Sequence, residues 1–128
     1  MRLLLDTHAL IWAHGPVEKL SPAARNALLS DDNEVLVSPV CAFEITTKYR
    51  IGKLPESEVL AKDFFRYVAR AGFLEAPLTI RHAELAGRFA HDHKDPFDRL
   101  LIAQALVDDL VIVSNEKLFD DFGVNRLW

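Results

Sequence analysis

Short apolar runs alternate along the chain with segments in which apolar residues recur at helical spacing. The runs at 2–5, 34–37 and 110–113 are mostly apolar without alternation, which is typical of strands buried on both faces, and weaker strands are predicted at 73–76 and 124–128. Helical segments lie between these strands. This order predicts an α/β fold, a short parallel sheet with helices on both faces.

Capping residues mark where several of the predicted helices begin. Ser21-Pro22 and Ser38-Pro39 each combine a capping serine with a proline in the first helical turn, and Gly52 can close the second of these helices in a left-handed conformation. The predicted helices cover residues 7–13, 23–29, 40–51, 57–71, 79–91, 95–107 and 116–122.

The helix at 79–91 has its own start signal, because Thr79 is followed by His82 and Glu84. We expect residues 91–93, which read His-Asp-His, to form its solvated end. Asp95 before a proline then starts the next helix.

The composition is that of a packed protein, since 50% of the 128 residues are hydrophobic and 27% are charged. This length suits a single domain that spans residues 1–128. No apolar stretch approaches the roughly 20 residues of a membrane helix, and the run after Arg2 is too short for a signal peptide. We therefore expect a cytoplasmic protein, and the lone cysteine, Cys41, agrees with a reducing compartment.

The formal net charge of −4 argues against general coating of nucleic acid, because that affinity comes mostly from cations that neutralise phosphates. It does not exclude an enzyme that acts on nucleic acid. A carboxylate cluster that holds a metal can make the total acidic, while local lysines and arginines contact the substrate backbone.

Acidic residues lie where a parallel sheet binds its ligands. Asp6 ends the first strand and Glu116 follows the penultimate one, so both should emerge at the carboxyl edge of the sheet. Asp95 and Asp98 are three residues apart at a helix start and therefore share one face. Glu44 lies among apolar residues midway along its helix, where a carboxylate needs a partner.

Four of these acids also have a structural interpretation. Asp95 is a good helix cap, and Asp98 and Glu116 complement helix dipoles. Glu44 has Lys48 one turn further on and can pair with it.

Asp6 is different, because no capping role requires a carboxylate at the end of a buried strand. Considered together, oxygen ligands in this number suit a hard cation such as Mg²⁺ or Mn²⁺, and the chemistry they favour is phosphodiester hydrolysis. The five glycines form neither a dinucleotide fingerprint nor a phosphate-binding loop, and the five histidines show no metalloprotease pattern.

Several stretches carry a resemblance to a known family. They are Leu3-Leu4-Leu5-Asp6-Thr7-His8 with Trp12, then Ser38-Pro39 through Phe43-Glu44-Ile45 with Lys48 and Gly52-Lys53-Leu54, then His93-Lys94-Asp95-Pro96-Phe97-Asp98-Arg99-Leu100-Leu101-Ile102-Ala103-Gln104-Ala105. In this order they resemble the motifs of PIN-domain proteins of the VapC toxin type, and the resemblance covers nearly the whole chain. It implies a PIN-like fold and a metal-dependent endoribonuclease that is the toxin of a toxin–antitoxin pair.

The resemblance also implies which residues form the site. They are Asp6, Glu44, Asp95, Asp98 and Glu116, supported by Thr7 and Ser114. Asp6 and Asp98 are expected to bind the metal, and Glu44 to complete or orient its coordination. Water should attack the phosphorus directly with the 3′ oxygen leaving, so no covalent intermediate with the enzyme is needed.

One position departs from the family pattern. Where the family commonly has a threonine, any residue and an aspartate, this chain has Ser114-Asn115-Glu116. Ser114 still offers a hydroxyl, whereas Glu116 places its carboxylate one methylene further out. This leaves open whether Glu116 binds the metal directly or through water.

Cations beyond Glu44 are candidates for contacts with the RNA backbone. Lys48, Arg50 and Lys53 follow it, although cations at the end of a helix also simply offset its dipole. Arg99 is a further candidate, for contact either with substrate or with a carboxylate.

The helices also carry more large apolar side chains than a small sheet needs, namely Phe43, Ile51, Leu54, Leu60, Phe64 and Phe65. Core packing would account for any one of them. Toxins that this chain resembles form homodimers and receive an antitoxin segment over such helices, so an exposed remainder would fit a protein-binding groove.

Two other classes of protein share some of these sequence features. A signalling receiver domain also has acids at strand ends, but this chain lacks the acidic pair expected next to a central phosphorylated aspartate. A PIN fold without activity, which only binds a partner, is favoured by the altered segment at 114–116.

Overall fold

The computed structural model describes all 128 residues, and its strands and helices follow the predicted order. The strands are β1 (Arg2–Leu5), β2 (Glu34–Val37), β3 (Leu74–Glu75), β4 (Val111–Val113) and β5 (Asn125–Leu127). The helices are α1 (Thr7–His14), α2 (Pro22–Leu29), α3 (Pro39–Arg50), α4 (Glu58–Lys62), α5 (Phe64–Arg70), α6 (Ile80–Arg88) and α7 (Pro96–Val107). Short 3₁₀ turns occupy Val17–Lys19, Pro55–Ser57 and Lys117–Phe122. None of the helices has the length and apolar character needed to cross a membrane.

The five strands form one parallel sheet in the order β3-β2-β1-β4-β5, flanked by helices, which confirms the predicted α/β fold. The chain builds outward from β1 through β2 and β3, and then returns to the other side of β1 with β4 and β5. The neighbours β1 and β4 therefore form the point at which the strand order reverses. Sheets of this kind bind ligands beside that point, at the carboxyl ends of the strands.

The apolar core lies around the central strand. Leu3, Leu4 and Leu5 of β1 are completely buried, and Ile45 of α3 and Ile102 of α7 are buried with them. Each such side chain contributes about 1.5–3 kcal/mol relative to an exposed one. The apolar runs that predicted the strands are thus also what fixes β1 between the helices.

The predicted helix at 57–71 is wrong in one respect, because the chain leaves the helical conformation at Asp63 (φ −141°) and forms α4 and α5 instead. The Asp63 carboxylate lies 3.7 Å from both Arg66 Nε and Arg70 Nη1 of α5. Aspartate also has a low intrinsic helix propensity, which favours a break at this residue. The apolar period continues across the break and so gave no sign of it.

The predicted helix at 79–91 also ends early, at Arg88. The next carbonyl, that of Phe89, accepts a hydrogen bond from Arg99 Nη2 at 2.7 Å instead of continuing the helix. His91 is consequently a loop residue, and it is partly buried rather than a solvated helix end.

The start of α6 is tied to the end of α7 through one buried histidine. Thr79 caps α6 together with His82, whose Nδ1 accepts a hydrogen bond from the Thr79 N–H at 2.9 Å. The other ring nitrogen, Nε2, lies 2.9 Å from the carboxylate of Asp108, which follows α7. Since Nδ1 is an acceptor, Nε2 carries the hydrogen of the neutral ring and donates it to Asp108.

We predict that His82→Ala lowers the free energy of unfolding by about 1–3 kcal/mol, because it removes the partner of the Thr79 N–H and of Asp108 together. Arg81→Ala is the matched control, since Arg81 is the exposed neighbour on the same helix, and it should change stability by less than about 0.5 kcal/mol. Urea unfolding followed by circular dichroism measures both. Equal losses in the two variants would contradict the helix-linking role.

Candidate active site

Asp6 lies where the strand order reverses, and the backbone holds it there. Its N–H donates to the carbonyl of Val113 at the end of β4, over 3.1 Å, and its carboxylate accepts a hydrogen bond of 2.7 Å from the Ala9 N–H. The expectation that Asp6 has no capping role is therefore wrong, because this carboxylate is the cap of α1. The residue is only 4% exposed. Burial raises the pKa of Asp6, because removing the ionised carboxylate from water is unfavourable.

Ser114 and Glu116 follow β4 and lie beside Asp6. The buried Ser114 hydroxyl accepts a hydrogen bond of 3.0 Å from the Glu116 N–H, and it lowers the pKa of Asp6 against the larger effect of burial. The Glu116 side chain is exposed, and its charge raises the pKa of Asp6 further. The structure therefore brings these three residues together as expected, with Glu116 at the solvent side.

Glu44 projects into the interior from α3 and is only 5% exposed. Thr7 Oγ1 donates to Glu44 Oε1 at 2.6 Å, and the Lys48 ammonium pairs with Glu44 Oε2. The pair with Lys48, which the sequence allowed as an alternative, is thus confirmed, and Thr7 contacts Glu44 on its other carboxylate oxygen.

Asp95 and Asp98 both lie at the start of α7, but their side chains have different partners. Asp95 is the helix cap, since its Oδ1 accepts from the N–H groups of Phe97 at 2.9 Å and Asp98 at 3.2 Å. Asp98 Oδ2 lies 2.9 Å from His93 Nε2. Burial raises the pKa of Asp98 to about 6, a shift to which the charges of Asp95 and Glu44 add and which His93 opposes.

The chemistry of this donor set fits a hard divalent cation, because it consists of carboxylate oxygens, and the charge of Glu44 raises the pKa of Asp98. Asp6, Asp98 and Glu44 are the residues that would hold it. In the structure, however, no three Asp, Glu, His or Cys side chains form a group arranged to hold a metal. Glu44 is turned to its two partners, Thr7 and Lys48, and Asp98 is turned to His93.

Arg99 holds the loop that carries His93. Its guanidinium donates to the carbonyl of Ala86 at 2.9 Å, of Phe89 at 2.7 Å, of His91 at 2.7 Å and of His93 at 2.9 Å. All three guanidinium nitrogens are engaged. The expected contact with a carboxylate is therefore absent, and a contact of Arg99 with RNA remains a prediction.

The other candidate cations differ in whether their side chains already have a partner within the protein. Lys48 is committed to Glu44, and its ammonium also lies 5.8 Å from the ring centroid of Phe97. Arg50 and Lys53 are exposed at the end of α3 and are available to solvent or substrate.

Sequence reasoning missed His93, which was placed at a solvated helix end. The structure instead turns it towards Asp98, with its side chain 21% exposed. The only hint in the sequence was its position five residues before Asp98. That spacing does not predict a contact, because the path of the loop depends on its hydrogen bonds with Arg99.

Part of the apolar surplus on the helices is exposed. Phe43, Ile51 and Phe65 are 64%, 50% and 83% exposed, whereas Leu60 belongs to the core. A cleft of about 420 Å³ between α3 and α5 is lined mainly by apolar side chains, namely Ala42, Phe64, Phe65, Val68 and Phe73.

The fold and these residues define a parallel α/β protein with an acidic site at the point where its strand order reverses. The PIN domain model matches residues 3–125, and the chain belongs to the PIN domain family. No curated protein sequence matches the chain.

Solved structures share the fold. The VapBC2 complex from Rickettsia felis, bound to a promoter DNA fragment, is similar with a TM-score of 0.72 and 16% identity, over 98% of this chain and 97% of that one. DNA-bound VapBC from Salmonella typhimurium is similar with a TM-score of 0.68 and 17% identity, over 98% of this chain and 96% of that one. VapC20 from Mycobacterium tuberculosis, a toxin that cleaves the sarcin-ricin loop, is similar with a TM-score of 0.67 and 15% identity, over 95% of each chain.

We predict that Asp98→Asn flattens the dependence of metal-free stability on pH. The folded-state pKa of Asp98 is about 6, above the ordinary value of 3.8, so the stabilisation from its protonated form is complete below about pH 3.8 and is lost as pH rises through 6. Wild type should lose on the order of 2–3 kcal/mol over this range that the variant does not lose.

Thermal melts in EDTA at pH 4 to 8 measure this difference. Asp92→Asn is the matched control, because the Asp92 side chain is fully exposed on the same loop and should leave the wild-type pH profile unchanged. At pH 7 the Asp98→Asn protein should be as stable as wild type or more so. If it is several degrees less stable there, Asp98 is a structural residue of α7 and not a strained ligand.

Proposed function

We propose that this PIN-domain protein is a metal-dependent endoribonuclease that hydrolyses phosphodiester bonds in RNA with Mg²⁺ or Mn²⁺. The observation that carries the proposal is the placement of Asp6. A buried carboxylate with a raised pKa, at the point where the strand order reverses, is where an α/β sheet binds its ligand, and Glu44 and Asp98 lie on the helices that flank it.

The residues of the candidate site have separate roles in this chemistry. A divalent cation supplies, when bound, polarisation of a phosphate group and a lowered pKa for water. Asp6 and Asp98 bind the cation, and Glu44 completes or orients its coordination. Thr7 fixes the orientation of Glu44 through its 2.6 Å hydrogen bond, and Asp95 fixes the start of α7 from which Asp98 projects.

We further propose that the protein is the toxin of a toxin–antitoxin pair, acts in the cytoplasm as a homodimer, and is inhibited by a small antitoxin. The similar structures from Rickettsia felis and Salmonella typhimurium are VapBC complexes. The apolar cleft between α3 and α5 and the exposed Phe65 support a protein-binding surface. The free, buried Cys41 agrees with a reducing compartment.

An inactive, partner-binding PIN module is the second candidate. It is favoured by one observation, that the acidic side chains do not form a ready-made group of ligands. Activity measurements separate the two candidates.

We predict that the purified protein, freed of any antitoxin, cleaves single-stranded RNA with Mg²⁺ or Mn²⁺, and that Asp6→Asn abolishes cleavage without unfolding the protein. An asparagine can still cap α1, so the fold should tolerate the change. Gel analysis of RNA products measures activity, and circular dichroism checks the fold. Asp92→Asn is the active control. Cleavage that persists in both EDTA and Asp6→Asn would exclude the metal mechanism.

We predict that Glu116→Asp keeps activity within about tenfold of wild type, a difference of about 1.4 kcal/mol in transition-state stabilisation. The family's usual residue is restored by this change, and Glu116 lies at the exposed side of the site. Asp98→Glu should reduce kcat/KM far more, because it moves a partly buried carboxylate. Equal losses would show that Glu116 is a direct ligand in this protein.

A further inference from the structure

We propose that a cleft beside Asp6 binds one nucleobase of the RNA substrate, stacked against His8 and Trp12. The cleft has a volume of about 250 Å³ and lies between α1 and the segment that joins α3 to α4. This inference rests on the proposed ribonuclease function, and it adds a substrate-positioning site that is separate from the acids.

The cleft has an aromatic wall. His8 and Trp12 are one helical turn apart on α1, their ring centroids are 5.6 Å apart, and both line the cleft. Trp128 packs against Trp12 with its centroid 5.8 Å away, which fixes the indole from another part of the chain. Aromatic rings at such a position stack on any base, because every base has a π-face.

The opposite wall has an unsatisfied polar group. Ser57 lines the cleft, is only 3% exposed, and its hydroxyl has no hydrogen-bond partner. A buried hydroxyl without a partner is costly, and it can both donate to and accept from the edge of a base. Lys19 also lines the cleft and provides a cation for a phosphate next to the bound base.

The position of the cleft suits an RNA whose scissile phosphate lies at Asp6. His8 is two residues beyond Asp6, in the first turn of the helix that Asp6 caps. A base held against His8 is therefore close to Asp6, whose pKa the His8 charge lowers, as expected for a nucleotide that flanks the scissile phosphate.

The lining favours a base over a protein segment. Of the 11 residues around the cleft only 4 are hydrophobic, whereas the cleft between α3 and α5 has 7 hydrophobic residues among 10. An apolar helix or strand of a partner suits the second cleft. The volume of about 250 Å³ is below the roughly 300–1,000 Å³ of pockets for drug-sized ligands, which suits one base.

The test measures RNA binding without cleavage. The full chain carrying Asp6→Asn is titrated in EDTA with short single-stranded oligonucleotides of adenylate or uridylate, labelled for fluorescence anisotropy. Since the chain has two tryptophans, adding Trp128→Phe leaves Trp12 as the single tryptophan, whose emission is followed with unlabelled RNA. We expect RNA to quench Trp12 fluorescence, and Trp12→Leu to weaken binding by about fivefold or more.

Three further variants in the cleft and one control outside it make the assignment specific. Trp12→Phe retains an aromatic face and should stay within about threefold of the parent protein, and His8→Ala removes an exposed ring that the fold does not need. Ser57→Ala should change the ratio of adenylate to uridylate affinity more than the total affinity. Ile80→Ala truncates a side chain that is 86% exposed on α6, outside the cleft, and should leave RNA binding unchanged.

Each outcome decides the proposal. Weakened RNA binding in His8→Ala and Trp12→Leu, with recovery in Trp12→Phe, supports it even if the wild-type protein cleaves no RNA, in which case only the proposed activity fails. Unchanged RNA affinity in His8→Ala and Trp12→Leu proteins that melt as the parent does overturns it.

Discussion

The pairing of β1 with β4 is the constraint on which the site depends. Because the Asp6 N–H belongs to the hydrogen bonds between these strands, the backbone of Asp6 cannot move without opening the centre of the sheet. The leucines before it are completely buried, so apolar packing stabilises the same pairing. Strand pairing and apolar packing thus hold a carboxylate at a position where burial makes its charge unfavourable. The other residues of the candidate site are arranged around Asp6.

Two of the remaining acids are held through side chains. Glu44 is held by Thr7 and Lys48, and Asp98 by His93, rather than by backbone pairing. Asp98 is partly exposed, so its partner can be exchanged at modest cost compared with opening a strand pair, whereas the contact of Glu44 with Thr7 is buried. The candidate site therefore combines one acid fixed by the backbone, one buried acid held by two side chains, and one acid that can change its partner more easily.

Much of the fold follows from local sequence signals, and much of the site does not. The apolar runs predicted the strands, and Ser38 predicted the cap of α3, because both depend on neighbours in the chain. The pair of Glu44 with Lys48 was predictable from helical spacing. The break at Asp63 and the contact of His93 with Asp98 were not, since they depend on the surrounding side chains and on a loop held from another helix. The metal ligands themselves are still a prediction, because the structure shows no group of three such side chains arranged to hold an ion.

Arg99 also restricts how this protein can vary in length. Surface loops usually tolerate inserted residues, because little in the fold depends on their path. The loop after α6 is an exception, since one rigid guanidinium spans carbonyls from Ala86 to His93. A lysine offers no fork of fixed geometry and cannot reproduce that set of contacts. An insertion or deletion between these residues would displace carbonyls from the guanidinium, so the spacing between α6 and α7 is set by the reach of a single side chain.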